Sequence, residues 1–477
     1  MESLVAWLIF LFGVICFIAG VECIELFIRR RWHSNVRLPD PVAYTDSPSF
    51  PADASIILRV HSSQATHIRF SRCGASGYTQ VHETRGPATT QTRSMHRWEG
   101  FDWQPTITLP PYTLSPGLYF IEISHANSPA VRWCMNIVVS PPAATASMPA
   151  PPQTPIVVVA STNTWNAYND FGGLSNYTDH ATPPPLNFFR AILMYFNVRL
   201  RVGDRHWLLA VPLPERRPNL AIHNEHTDPN RPLHLARAES ALIRFLESEK
   251  VAYSIISDRD FAFSLPVDST RLLIFNTHSE YWSEEMLARL AEFICRGVSV
   301  AFLSGNNIYR KVQFLRDAIS VIDRMTPPAE IAPLIGTYYD AAGYLTYDSY
   351  RVLDPDHWSF AGTNAHEGTE FGAATDKHPA ASGYETDKIR LAVSPSSPAV
   401  TDPAALGFRT LAVGKNPEGP AFMVCRDLPN GAFVFSTGSV AFAPCVEDDP
   451  AIQNVVRNLL RRALQANSNS TDAAKDR

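Results

Sequence analysis

From Ile156 onward the chain alternates short, uninterrupted apolar runs with segments of helical periodicity, and this rhythm restricts its fold more than any other feature. Ile156 to Ala160 (IVVVA), Tyr253 to Ile256, Arg271 to Asn276 and Val298 to Leu303 read as buried strands. Between them, Ala236 to Ser248 places Ala241, Leu242, Phe245 and Leu246 on one helical face. Ser283 to Arg296 opens with Ser283 at a capping position and Glu284 and Glu285 in its first turn. Strand, helix, strand in succession predicts an α/β fold with a largely parallel sheet flanked by helices. Leu411 to Val413, Ala421 to Cys425 and Ala432 to Ser436 read as further strands, and Ala451 to Ala466 as a closing helix. Thr337 to Asp387, rich in Gly, Tyr and Asp, reads as a long insertion over the sheet.

Two proline-rich stretches set the domain plan. One runs from about Leu38 to Ala52; the other, Pro141 to Pro155, reads PPAATASMPAPPQTP. The short β-rich runs between them predict an antiparallel sandwich over residues 53–141, so that residues 32–52 and 142–155 are linkers, 156–466 is the α/β unit of glutamine-amidotransferase or flavodoxin-like type, and 467–477 is a polar tail. Leu4 to Val21 is uncharged, apolar and about long enough to cross a bilayer, with Arg29, Arg30 and Arg31 beyond it. Residues 1–31 are therefore expected to form a single-pass membrane anchor, with the bulk of the chain on the cytoplasmic side.

With 477 residues, 45% hydrophobic and 18% charged, the chain can bury a large core. Its net charge of -5 carries no electrostatic footprint for nucleic acid. The seven cysteines are scattered, without a CxxC pair, which argues against a zinc knuckle and a disulfide framework and favours buried small hydrophobes. Neither a GxSxG elbow nor a P-loop occurs, and Cys295 lies within a predicted helix.

Open α/β sheets bind ligands at the carboxyl ends of their strands. Three polar clusters fall there: Ser161 to Tyr177 after the first strand, His278 and Glu280 after the Leu272 to Phe275 run, and Asn306 after Val300 to Leu303. In an extended segment His278 and Glu280 face the same side. His223, His226 and His234 lack metal-ligand spacing and read as loop residues.

The segments TNTWNAYNDFGGLSNYTDH, HSEYW, SGNN, HWSFAGT with GTEFG, GYETD and FSTGS occur in the order found in the carboxyl-terminal region of the large subunit of bacterial N,N-dimethylformamidase and its relatives. The chain resembles that family over roughly Pro155 to Ala466, with Ser279 where the family commonly has proline between the His and Glu of its HxE motif. The resemblance implies a mononuclear ferric iron (Fe3+) held by Tyr168, Tyr177 and Glu280. Phenolate and carboxylate are hard anionic donors suited to such an ion, which can polarise an amide oxygen. It also implies His278 as proton shuttle, Asn306 as donor to a developing oxyanion and Glu385 as general base or acid. The expected activity is hydrolysis of a small amide or related C–N bond, with a small-molecule amide as substrate and homo-oligomers or a small accessory subunit as partners. A non-catalytic membrane-anchored scaffold, or a protein binding a carbohydrate or other ligand on the same fold, is the alternative.

Overall fold

The computed structural model describes residues 33–96, 99–142, 154–173, 175–177, 211–265, 269–389 and 403–465, together with residue 13. Among the described residues no helix is long and apolar enough to cross a membrane. The anchor expected over Leu4 to Val21, most of the second proline-rich linker and the polar tail lie outside them.

The amino-terminal unit is two facing sheets. A five-stranded sheet runs in the order Ser49–Pro51, Ser128–Ser140, Gly117–His125, Thr66–Gly74, Gly77–Gly86, and a three-stranded one in the order Val42–Thr45, Ile56–His61, Ile107–Leu109. Inward residues of both, among them Leu58, Val60, Phe70, Ile121, Trp133 and Ile137, form one apolar cluster. Two of these strands lie in the stretch expected to be linker. Three of its four prolines, Pro41, Pro48 and Pro51, sit at or beside strand ends, where a missing N–H breaks no ladder.

The second unit corrects the expected fold class. Its nine-stranded sheet is mixed, and the protein is not a flavodoxin-like α/β fold with a parallel sheet. Ser254–Ser257, Ile156–Ala160, Leu272–Thr277, Ser299–Ser304 and Phe433–Ser436 pair in parallel. Phe422–Asp427, Arg409–Gly414, Tyr350–Val352 and Glu370–Phe371 then extend the sheet antiparallel. The reason is the connections. Helices such as Ala236–Ser248 and Glu284–Cys295 carry the chain back between parallel strands, whereas Asp427 and Phe433 are joined by the short turn of Pro429, Asn430 and Gly431. A turn that short can only reverse a strand.

The register of the parallel half positions the site. Val159 lies level with Phe275, and Thr277 with Ser304, so the segments that follow these three strands emerge side by side. Four of the non-glycine residues with positive φ cluster there: Thr277 (58°), Asn306 (50°), Ile308 (57°) and Tyr384 (66°). Left-handed backbone costs about 1–3 kcal/mol per residue and persists only where surrounding contacts hold it. Thr277 and Ile308, both β-branched and fully buried, are the clearest cases.

The two units are latched by the helix Leu220–Thr227. His223 stacks flat on Trp133, with ring centroids 4.3 Å apart, and its Nδ1 accepts the Cys134 N–H at 3.1 Å. His226 Nε2 stands 2.6 Å from Asn136 Oδ1. Asn219 caps this helix through the Ile222 N–H and donates to the Trp165 carbonyl at 3.0 Å, which ties the latch to the segment carrying Tyr168. Burial pushes the imidazoles of His226 and His223 down to about 3 and about 4. Both are neutral in the fold, and the unfolded chain protonates them near the ordinary value of about 6.5. Their contribution to stability is intact above that pH and is lost as pH falls toward the folded values. The thermal midpoint is expected to drop between about pH 6.5 and 4, less steeply in His226→Gln, which keeps the donor. Identical slopes for the two proteins would refute this.

Candidate metal centre

Each of the six residues singled out in the sequence has a definite place. Thr162–Ala167 forms a short helix directly after the Ile156–Ala160 strand, and Tyr168 caps it, its N–H bonded to the Thr164 carbonyl at 3.1 Å. Tyr177 follows a 3-10 turn over Phe171–Gly173. His278 and Glu280 occupy the segment between Leu272–Thr277 and Tyr281–Trp282. Asn306 follows Ser299–Ser304, and Glu385 lies between the short strands Ser382–Gly383 and Asp387–Lys388.

These residues converge. The Tyr177 ring is half exposed, yet its hydroxyl reaches inward and donates to both oxygens of Glu280, at 3.0 and 2.9 Å. The Tyr168 ring packs against that of Tyr177 (centroids 4.4 Å apart) and edge-on to His278 (5.4 Å). His278 Nε2 lies 2.8 Å from Glu385 Oε2 and 3.4 Å from Glu280 Oε2. Among the described residues neither ring nitrogen has an aligned hydrogen-bond partner, so these contacts are ionic rather than directed. Asn306 Nδ2 donates to Glu385 Oε2 at 3.0 Å. One of the two N–H groups expected for an oxyanion is thus engaged with the carboxylate.

Several supporting residues were not evident from sequence. The Thr164 hydroxyl donates to the His278 carbonyl at 2.8 Å and accepts the Glu280 N–H at 3.4 Å, clamping the HSE segment. Asn176 donates to the Tyr281 hydroxyl and Tyr281 to the Tyr177 hydroxyl, each at 2.7 Å, which aims the Tyr177 phenol at Glu280. A Cβ at Gly305 would stand 2.5 Å from the Val440 nitrogen and 2.6 Å from the Glu385 carbonyl oxygen, so only glycine lets the Glu385 loop close on the SGNN turn. His234 stacks on Tyr384 (4.9 Å) with its ring 5.9 Å from that of His278. Its position beside the site arises from tertiary packing, and spacing in the sequence carries no sign of it.

The electrostatics are those of a buried, charge-rich cluster. Burial works against the charged form of His278, but Glu385 and Glu280 outweigh it and push the imidazole up to about 10. Burial also tends to raise Glu385, yet His278 and the Asn306 N–H hold it below the usual carboxylate range. Burial wins at Glu280, whose proton affinity is raised. Burial and the neighbouring Glu280 lift both phenols, Tyr168 and Tyr177, well above the ordinary tyrosine range. Two carboxylates and two phenols around one imidazole make an oxygen-rich pocket in which a cation of high charge would offset the desolvation of its donors. His278, Glu280 and Glu385 offer ligand atoms all within 4.8 Å of one another. Glu280 is shared between that set and the two phenols, so the donor chemistry fits a hard trivalent or divalent cation.

No curated protein matches the chain. Among solved structures, a cycloisomaltooligosaccharide glucanotransferase of Paenibacillus sp., complexed with cycloisomaltoheptaose, is 15% identical over 28% of this chain, with a TM-score of 0.15. The chain spans 19% of that protein's length, and a likeness this slight carries no argument about fold or ligand. The family described as N,N-dimethylformamidase beta subunit-like, C-terminal, matches residues 63–327 and 323–454, a span containing the whole nine-stranded sheet and every residue of the site. The chain belongs to the family of N,N-dimethylformamidase beta subunit-like C-terminal proteins.

Proposed function

We propose that the protein hydrolyses a small carboxamide at an iron centre held by Tyr168, Tyr177 and Glu280. The observation that carries this reading is the convergence of the Tyr177 hydroxyl, the Tyr168 ring and His278 on the Glu280 carboxylate, all at the carboxyl ends of adjacent parallel strands. When bound, a ferric ion supplies Lewis acidity, polarising an amide carbonyl and lowering the pKa of water. The chain's own residues handle the protons. Glu385, anionic beside the His278 imidazolium, accepts a proton from the attacking water and delivers it to the departing nitrogen. The C–N bond breaks, a C–O bond forms, and an acid and an amine leave. Asn306 fixes the Glu385 carboxylate with one N–H and has a second available to a developing oxyanion. His278 keeps Glu385 ionised and stands between it and Glu280.

A purely structural role accounts poorly for this arrangement. Burying His278, Glu280, Asn306 and Glu385 together, each at most 6% exposed, costs stability that a scaffold has no use for. The limited exposed surface supports a small substrate rather than a polymer. Visible absorption tests the proposal: tyrosinate-to-iron charge transfer is expected to colour the iron-loaded protein and to be reduced or lost in Tyr168→Phe, in parallel with hydrolysis of a panel of small amides. An iron-loaded protein without such a band, or a Tyr168→Phe variant with full colour and turnover, overturns it.

A further inference from the structure

A second cluster of ligating side chains lies away from this centre, on the antiparallel half of the nine-stranded sheet. A ring nitrogen of His357, the thiol sulfur of Cys425 and a carboxylate oxygen of Asp427 lie within 4.8 Å of one another. Cys425 and Asp427 are two positions apart on the strand Phe422–Asp427 and project from the same face. His357 comes from another part of the chain, capping the 3-10 turn Trp358–Phe360 that packs over that face. We infer that His357, Cys425 and Asp427 form a structural site for a borderline-soft divalent cation, with Zn2+ as the best match, that clips the Trp358 turn onto the sheet.

The hydrogen bonding leaves these atoms available. His357 is 2% exposed; its Nδ1 accepts the Ser359 N–H at 3.3 Å and lies 2.8 Å from Ser359 Oγ, and its Nε2 is buried with no hydrogen-bond partner among the described residues. A metal on Nε2 moves the ring proton to Nδ1, where Ser359 Oγ accepts it in place of the cap bond from the Ser359 N–H. Burial pushes this imidazole down to about 4, so it is neutral as a ligand must be. Asp427 receives the Trp358 Nε1–H at 3.0 Å and the Arg462 guanidinium at 3.4 Å, both on Oδ1, and its other oxygen receives no donor among the described residues. Cys425 is buried and in no disulfide; burial holds its thiol well above the usual range, so the cation takes the place of its proton. Thiolate, imidazole and carboxylate are a zinc-like donor set, and two anionic ligands balance a divalent charge. Ligand atoms around tetrahedral zinc stand about 3.5 Å apart, so binding draws together three atoms that already lie within 4.8 Å of one another. Asp427 lies at the exposed edge, which provides an entry path and a fourth position for water. By contrast, the thiol of Cys445 beside His378 already donates to the carbonyls of Ala441 and Pro379 and lacks these features.

The site is tested on the full-length protein, stripped with a chelator and titrated with Co2+. One equivalent is expected to produce a thiolate-to-cobalt charge-transfer band in the near ultraviolet. Zn2+ displaces it, Cys425→Ser abolishes it, and Glu280→Gln leaves it intact. As an independent reading on a surface variant, saturating Zn2+ is expected to raise the thermal midpoint by about 3 °C or more in the parent protein and not in Asp427→Asn. Absence of the band, its persistence in Cys425→Ser, or an equal Zn2+ shift in Asp427→Asn overturns the assignment.

Discussion

Glu280→Gln is expected to release the iron and lower kcat/KM for small amides by roughly 1,000-fold or more, while the fold is retained. The two side chains are nearly equal in volume, so the packing against Tyr177 and Tyr281 survives. What changes is charge. The amide cannot serve as an anionic ligand, and one of the two oxygens that receive the Tyr177 hydroxyl becomes an N–H2 group that repels it. His278 also loses one of its two carboxylate neighbours. Metal content by elemental analysis, far-ultraviolet circular dichroism and turnover are measured together. Wild-type iron content with wild-type turnover would remove Glu280 from the centre.

Glu385→Gln is expected to behave differently, lowering kcat by about 100- to 10,000-fold while the iron and its colour remain. Glu385 is placed as proton carrier rather than ligand, and Gln cannot carry the proton. The variant also has a signature that simple loss of packing lacks. Glu385 is the largest influence raising His278, so its neutralisation lets the imidazolium release its proton at a lower pH. The pH–rate profile of the residual activity is therefore displaced toward acid on its alkaline side. Loss of iron in Glu385→Gln would make it a ligand, and unchanged kcat would remove it from proton transfer.

The parts of the site that could be seen in the sequence follow strand ends. A strand buried on both faces is written as an unbroken apolar run, so the polar residues after it, His278, Glu280 and Asn306, stand out without any knowledge of the fold. Tyr168 and Tyr177 were legible only through a resemblance of ordered motifs, because a tyrosine in a turn has no periodicity to mark it. Thr164, Tyr281 and His234 reach the site through tertiary contacts that no spacing encodes. The fold class was misjudged for a related reason. Apolar runs do not state strand direction; the connections do. Pro429-Asn430-Gly431, between two such runs and with no helix in sight, marks a reversal, and the helical rhythm of residues 236–304 could not be extended past it. His357 and Cys425, far apart in sequence, were equally invisible to a search for paired cysteines.

Anomalous diffraction collected at the iron edge from crystals of the iron-loaded protein tests the central claim most directly. The account predicts a single strong iron peak within bonding distance of Tyr168 Oη, Tyr177 Oη and a Glu280 oxygen. A peak elsewhere, or side chains of these three residues turned to separate places in the loaded protein, contradicts it.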